Sequence, residues 1–276
     1  MIVKNNLTAA NANRQQETSA AERAKSAEKL SSGTKINRGA DDAANLAISE
    51  KMRRQIFSLV QASANAQDGI SSIQTADGAL DQVNDMLGRM NELAIQAGNE
   101  TLSSEDRGKI ESEMNALRSE IDRVAETTTF NDQKLLDGSF AEGKRLQVGA
   151  DVSDENQINI VIGQMDWASI SESGSAPISL QNNAEISAVL DSIQTAGQNV
   201  SNMRSDLGAT QNRLESTVGN LRNVAENTTA AESSIRDTDM AAEMIRMSSR
   251  NIANQAALAM QAQANQSNRG VLGLLA

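Results

Sequence analysis

The interval between apolar residues constrains this chain more than any other feature. Ile73, Ala76, Leu80, Val83, Leu87, Met90, Ala94 and Ala97 step alternately by three and four. That spacing keeps side chains on one narrow helix face, a heptad seam that needs a partner helix. The pattern extends backwards, less cleanly, through Ala66, Ala62, Leu59, Met52 and Ile48. It predicts one helix from Asp42 to Gly98, about 80 Å long at 1.5 Å per residue. Gly98-Asn99 is a stop signal, and Ser103 or Ser104 can cap a following helix. That helix carries Ile110, Met114, Leu117, Ile121 and Val124 at the same interval and is expected to fold back antiparallel.

A second seam runs through Ile186, Val189, Ile193, Ala196, Val200, Met203, Leu207, Thr210, Leu214, Thr217, Leu221 and Val224. It predicts a second long helix of about 40 residues within 180–226. Between the helical halves the period changes to two. Leu146, Val148 and Ala150 alternate with polar residues, as do Ile158, Ile160 and Ile162, with turn formers from Asp151 to Asn156, so a β-hairpin is expected. Ser171 to Pro177 reads as a loop. The fold class is mainly α: a long antiparallel helical bundle or coiled coil with a small β-hairpin.

Composition agrees with thin seams. The chain of 276 residues has three Phe, one Trp and no Tyr, so Ala, Leu, Ile, Val and 11 Met must form its contacts. One Pro leaves the helices almost uninterrupted. With no His and no Cys, the chain lacks the usual metal ligands, the neutral-pH base and the thiol nucleophile. An enzyme is not expected, nor is a cofactor or metal. The net charge of −11 argues against nucleic acid or an anionic membrane as the main partner. No run of 18 apolar residues predicts membrane insertion, and the start Met1-Ile2-Val3-Lys4 lacks the apolar core of a signal peptide. Charge is uneven: residues 1–38 hold seven Lys/Arg and three Glu, a mildly basic end on an acidic chain.

The two ends read differently from the middle. A helix over about Asn5 to Leu30 has few long apolar residues besides Leu7 and Leu30. A last helix, capped by Asp237 or Asp239 and running to about Asn268, presents Met240, Met244, Met247, Ile252, Ala256 and Ala259 among Ala, Gln and Asn. Helices with so little to bury are marginal alone, so both ends are expected to order on assembly.

Several long motifs then become specific. Leu30 to Arg53 (LSSGTKINRGADDAANLAISEKMR), Asn65 to Ser71 (NAQDGIS), Gln74 to Leu80 (QTADGAL), Leu207 to Leu214 (LGATQNRL) and Gln263 to Gln266 (QANQ) occur in order along the chain. In these motifs the chain resembles the bacterial flagellins, over roughly residues 1–140 and 180–276. The resemblance implies an inner-tube domain, D0, from the two ends, and a surrounding domain, D1. Residues 1–41 would be the N-terminal D0 helix and connector, and 42–180 the N-terminal D1 with long helix, return helix and hairpin. Residues 181–230 would be the C-terminal D1 helix and 231–276 the C-terminal D0 helix. The short middle leaves no room for outer domains. The resemblance further implies export unfolded through the flagellar type III channel and assembly as a homopolymer beneath a filament cap. A flagellar secretion chaperone, junction proteins and the host flagellin-sensing Toll-like receptor are the implied partners, and a secreted, extracellular filament the implied location. A hook–filament junction protein and an intracellular coiled-coil adaptor remain the alternatives.

Residue by residue, Arg89, Leu93 and Glu113 match flagellin positions touched by that receptor; Arg89 and Leu93, four apart, are expected to share one exposed helix face, with Glu113 opposite on the antiparallel helix, and inter-subunit packing could employ the same residues. Gly88 and Leu117 stand nearby where longer polar side chains are common. Leu272, Leu274 and Leu275 resemble C-terminal leucines read by cytosolic sensors, with inner-tube packing the favoured role. Asp41-Asp42 reads as a helix-start cap rather than a catalytic pair. Asp151, Asp154 and Glu155 read as a solvated turn rather than a calcium site.

Overall fold

Among the described residues, six α-helices and two small hairpins follow one another. They are α1 (Leu7–Ser32), α2 (Ala43–Ala97), α3 (Ser104–Thr127), β1 (Thr129–Phe130), β2 (Gln133–Lys134), β3 (Lys144–Gln147), β4 (Gln157–Ile160), α4 (Trp167–Ile170), α5 (Asn183–Arg236) and α6 (Met240–Leu275). The computed structural model describes residues 6–171, 174 and 177–275, with the backbone alone for 268–275. Contacts group the chain into two compact units, residues 57–225 and residues 1–56 with 226–276, whose boundaries fall inside α2 and α5.

In the unit 57–225 the α2 seam is the core. Ile73, Ala76, Leu80, Val83, Leu87, Met90, Ala94 and Ala97 are all buried, against Ile110, Met114, Ile121 and Val124 of α3 and Ile186, Ile193, Ala196, Val200, Leu207 and Leu214 of α5. Gly98 ends α2, its N–H donating to the Ala94 carbonyl at 3.1 Å. Ser103 caps α3, its Oγ accepting from the Asp106 N–H, with Glu105 and Asp106 in the first turn.

The expected β-hairpin is present but shorter. Lys144 pairs with Ile160 and Gln147 with Gln157, so the ladder spans 144–147 and 157–160. Val148 and Ile162 lie beyond it and are still buried. The hairpin seats on α2 at Gly69, where a Cβ would meet Leu146 Cδ2 at 2.5 Å and Ile160 and Leu214 at 3.5 Å. A second hairpin, Thr129–Phe130 with Gln133–Lys134, turns through Asn131 and Asp132 at φ 49° and 60°. Asn and Asp tolerate that left-handed backbone, which two-residue hairpins require. The segment after β4 is tied to α3. Asn115 exchanges two bonds with the Ile178 backbone at 3.0 and 3.1 Å, and Asp122 Oδ1 accepts from the Trp167 N–H at 2.9 Å. Of the loop expected over 171–177, residues 172, 173, 175 and 176 lie outside the described residues.

One boundary and the phase of the seams differ from expectation. α5 holds 54 residues and runs to Arg236, about ten residues past the end of its apolar pattern. Its continuation is rich in Ala, Glu, Thr and Ser with no Gly or Pro, so nothing breaks the helix after the seam fades. The seams also drift, because 3.6 residues per turn does not match a 3.5 repeat. Val218 is buried where Thr217 was expected, and Ile48 is 45% exposed while its neighbour Ser49 is buried.

In the unit of residues 1–56 and 226–276, α1 and α6 pair antiparallel. Asn6 donates to the Ala264 carbonyl, Gln261 to Asn13 Oδ1, and Arg250 meets Glu22 at 2.8 Å. The connector is anchored by a Thr34–Asp237 bridge and by buried Ile36. Asp239 caps α6, accepting from the Ala241 and Ala242 N–H groups.

Leu80→Ala should therefore lower the unfolding free energy of the monomer by about 2–5 kcal/mol, since the site is fully enclosed. Gly88→Ala, at an exposed helical position with open space around the new methyl, should raise it by about 0.5–1 kcal/mol. Chemical denaturation of the two variants checks both signs.

Candidate recognition and assembly surfaces

Helices α2 and α3 bring Arg89 and Glu113 together at the surface. Arg89 Nη2 lies 2.9 Å and Nε 3.2 Å from Glu113 Oε1, while Nη1 lies 3.1 Å from Glu92 Oε2. One guanidinium thus fastens two carboxylates, one on its own helix and one across the antiparallel pair. Donation to Glu113, and then to Glu92, holds the Arg89 pKa above its ordinary value. All three side chains are about half exposed or more. The pair presents a preset pattern of charge rather than a large store of stability.

Leu93 requires a correction. It was expected to share an exposed face with Arg89, yet it is 2% exposed and belongs to the core. The physical reason is the seam: Leu93 sits beside Met90, Ala94 and Ala97, and the three-or-four spacing turns it inward with them. Ile95, 62% exposed, is the apolar side chain this part of α2 offers to solvent. Glu92 is the member of the charge cluster that sequence matching missed; its i,i+3 spacing from Arg89 is the signal that could have revealed it. The side chains of Leu272, Leu274 and Leu275 lie outside the described residues; their backbone is helical, within α6.

The terminal pair has the reverse polarity. The positions α1 buries are Ser19 and Ser26, and α6 buries Glu243 and Ala257. The large apolar residues point away: Leu7, Met240, Met244, Ile245, Ile252, Leu258 and Met260 are 47–71% exposed. Residues 33–50 are pinned by carboxylates. Asp41 Oδ2 accepts from the Asn37 and Arg38 N–H groups, Asp42 Oδ1 caps α2 through the Asn45 N–H, and Glu50 meets Arg236 at 2.7 Å. The cap expected at Asp41-Asp42 is therefore present. Backbone donation by Arg38 lowers the Asp41 pKa, donation by Asn45 that of Asp42, and the Arg236 hydrogen bond that of Glu50. A third clamp, Arg204 bonding Asp77 and Asp81 at 2.8 Å each, ties α5 to α2. No group of three or more metal-ligating side chains occurs among the described residues, and no described helix is long and apolar enough to cross a membrane.

Long paired helices around thin seams, with charged clamps and outward apolar side chains, define a structural protein built from helix–helix contacts. Residues 3–141 match the bacterial flagellin N-terminal helical region and residues 190–275 the bacterial flagellin C-terminal helical region. The chain is 48% identical to a flagellin of Halalkalibacterium halodurans over 275 residues, covering 100% of both. The chain belongs to the bacterial flagellin family, whose members are structural subunits of the flagellar filament, and it is not an enzyme. Among solved structures, Bacillus cereus flagellin matches with a TM-score of 0.50 at 27% identity, over 61% of this chain and 94% of that one. A Vibrio parahaemolyticus protein described as flagellar hook-associated matches with a TM-score of 0.61 over 71% of this chain and 100% of that one, but at 14% identity it shares the fold alone.

Because Asp41, Asp42 and Glu50 bind protons less readily when folded than when unfolded, their stabilisation is complete above their ordinary range and is lost as pH falls through the lowered values. The melting temperature should drop from about pH 5 towards pH 3. A double variant, Asp41→Asn with Asp42→Asn, should show a shallower drop in circular-dichroism melts.

Proposed function

We propose that this chain is exported unfolded through the flagellar type III channel and self-assembles beneath a cap into an extracellular helical tube that serves motility. In this reading residues 1–41 and 231–276 form the inner-tube part and 42–230 the surrounding part. A secretion chaperone and junction proteins accompany it. The observation that carries the reading is the polarity of the terminal pair. A helix pair that joins through Ser19, Ser26, Glu243 and Ala257 while exposing Ile245, Ile252, Leu258 and Met260 has apolar surface to bury on further copies. Contacts that repeat head to tail without closing produce a helical filament.

Purified full-length chain should polymerise into long filaments visible by electron microscopy. A variant carrying Ile245→Asp and Ile252→Asp should keep the cooperative melt of its core yet fail to polymerise. Filaments from that variant would sink the assignment of the α6 face.

The same monomer is proposed as a ligand of the flagellin-sensing Toll-like receptor through Arg89 and Glu113, with Leu93 supporting the surface from beneath. The preset Arg89–Glu113–Glu92 cluster supports this, because a ligand side chain already held in place loses little freedom on binding. Arg89→Ala should weaken receptor binding by the monomer about tenfold or more, as loss of a central Arg contact does. Its monomer stability should change by less than about 1 kcal/mol. For Leu272, Leu274 and Leu275 we propose packing in the tube, tested by polymerisation of the triple alanine variant.

A further inference from the structure

The chain contains no Cys, His or Tyr, and its one Trp, Trp167, is 2% exposed. Its readily oxidised side chains are therefore the thioethers of methionine. Among the described methionines, Met90, Met114 and Met165 are buried, and Met52, Met86, Met203 and Met247 are half-buried. The exposed ones are Met240, Met244 and Met260, at 48%, 51% and 66%, and all three stand on α6.

Their placement on that helix matters. α6 meets α1 through Arg250, Asn254 and Gln261, and Glu243 and Ala257 are buried at positions on the same side of the helix. At 3.6 residues per turn, Met240 and Met244 lie about 40° and 80° from Asn254 on one side, and Met260 about 120° from it on the other. The thioethers thus flank the α1 contact on both sides, within the apolar surface that also includes Ile245, Ile252 and Leu258.

We propose that Met240, Met244 and Met260 form a peroxide-reactive modification site whose oxidation blocks self-association of the terminal helices. The consequence for association rests on the assembly reading above; the selectivity of oxidation does not. In the reaction the sulfur lone pair attacks one peroxide oxygen and forms the S–O bond. The O–O bond breaks, and the departing oxygen leaves as water after the proton transfer. The sulfur loses two electrons to the hydroperoxide, giving the sulfoxide. A flexible apolar side chain becomes a polar one with a strong acceptor, which then has no donor waiting for it in an apolar contact. The α1 seam itself is largely polar, so the pair has little other apolar contact with which to offset that loss.

The test uses the full-length monomer and dilute hydrogen peroxide, read by peptide mass spectrometry and by polymerisation. Met240, Met244 and Met260 should oxidise several-fold faster than Met90, Met114 and Met165. The concentration needed to polymerise should rise about tenfold or more after oxidation. A Met240→Leu, Met244→Leu, Met260→Leu variant, close in volume and not oxidisable at these positions, should polymerise equally well before and after peroxide. Uniform oxidation rates would overturn the proposed site. Unchanged polymerisation of the oxidised chain, or a triple variant as peroxide-sensitive as the parent, would overturn its effect. Failure of the untreated chain to polymerise would refute the assembly reading and with it the proposed effect, leaving site selectivity to be decided by mass spectrometry.

Discussion

Burial of the α2 seam is the contact on which the unit 57–225 depends. Ile73 through Ala97 contribute no aromatic ring to the core they form with α3 and α5. An aliphatic seam offers no hydrogen-bond partner to a buried backbone group, so each connection must satisfy its backbone at the edges. Asn115 does so for Ile178, and Asp122 for Trp167. Gly69 admits the β3–β4 hairpin onto α2 because any side chain there would displace Leu146. Each of these devices brings one more segment against a single helical seam.

The terminal unit solves the opposite problem. Its helices touch through small and polar residues and hold their large apolar ones outward. Taken alone, such a pair stabilises itself weakly, since most of its hydrophobic surface remains in water. That weakness suits a segment whose final partners are other copies. The ion pair of Glu50 with Arg236 and the carboxylate caps at Asp41 and Asp42 supply local order that does not draw on the apolar surface.

Much of the fold was legible in the residues. The two seams, the Gly98 stop, the Ser103 cap and the β3–β4 hairpin each leave a periodic or chemical mark over several positions. β1 and β2 do not, because two residues cannot establish an alternation, although Asn131-Asp132 carries the turn chemistry. The end of α5 was set short because an apolar pattern reports packing and not helicity. Arg89 and Glu113 form the expected cross-helix pair, whereas Leu93 lies on the buried side, where the phase of the seam overrides its i,i+4 interval from Arg89.

By itself the sequence determined that this chain folds as long paired helices, because a three-or-four apolar interval and near absence of aromatic rings leave few other outcomes. Its ordered motifs also determined the family. Tertiary structure alone decided which side chains face solvent. Whether Leu93 or Ile95 is outside, whether Ile48 or Ser49 is inside, and whether the methionines of α6 are shielded all depend on helix phase accumulated over tens of residues. A phase error of one position in that count moves a side chain by about 100° around the axis, which is enough to exchange core for surface.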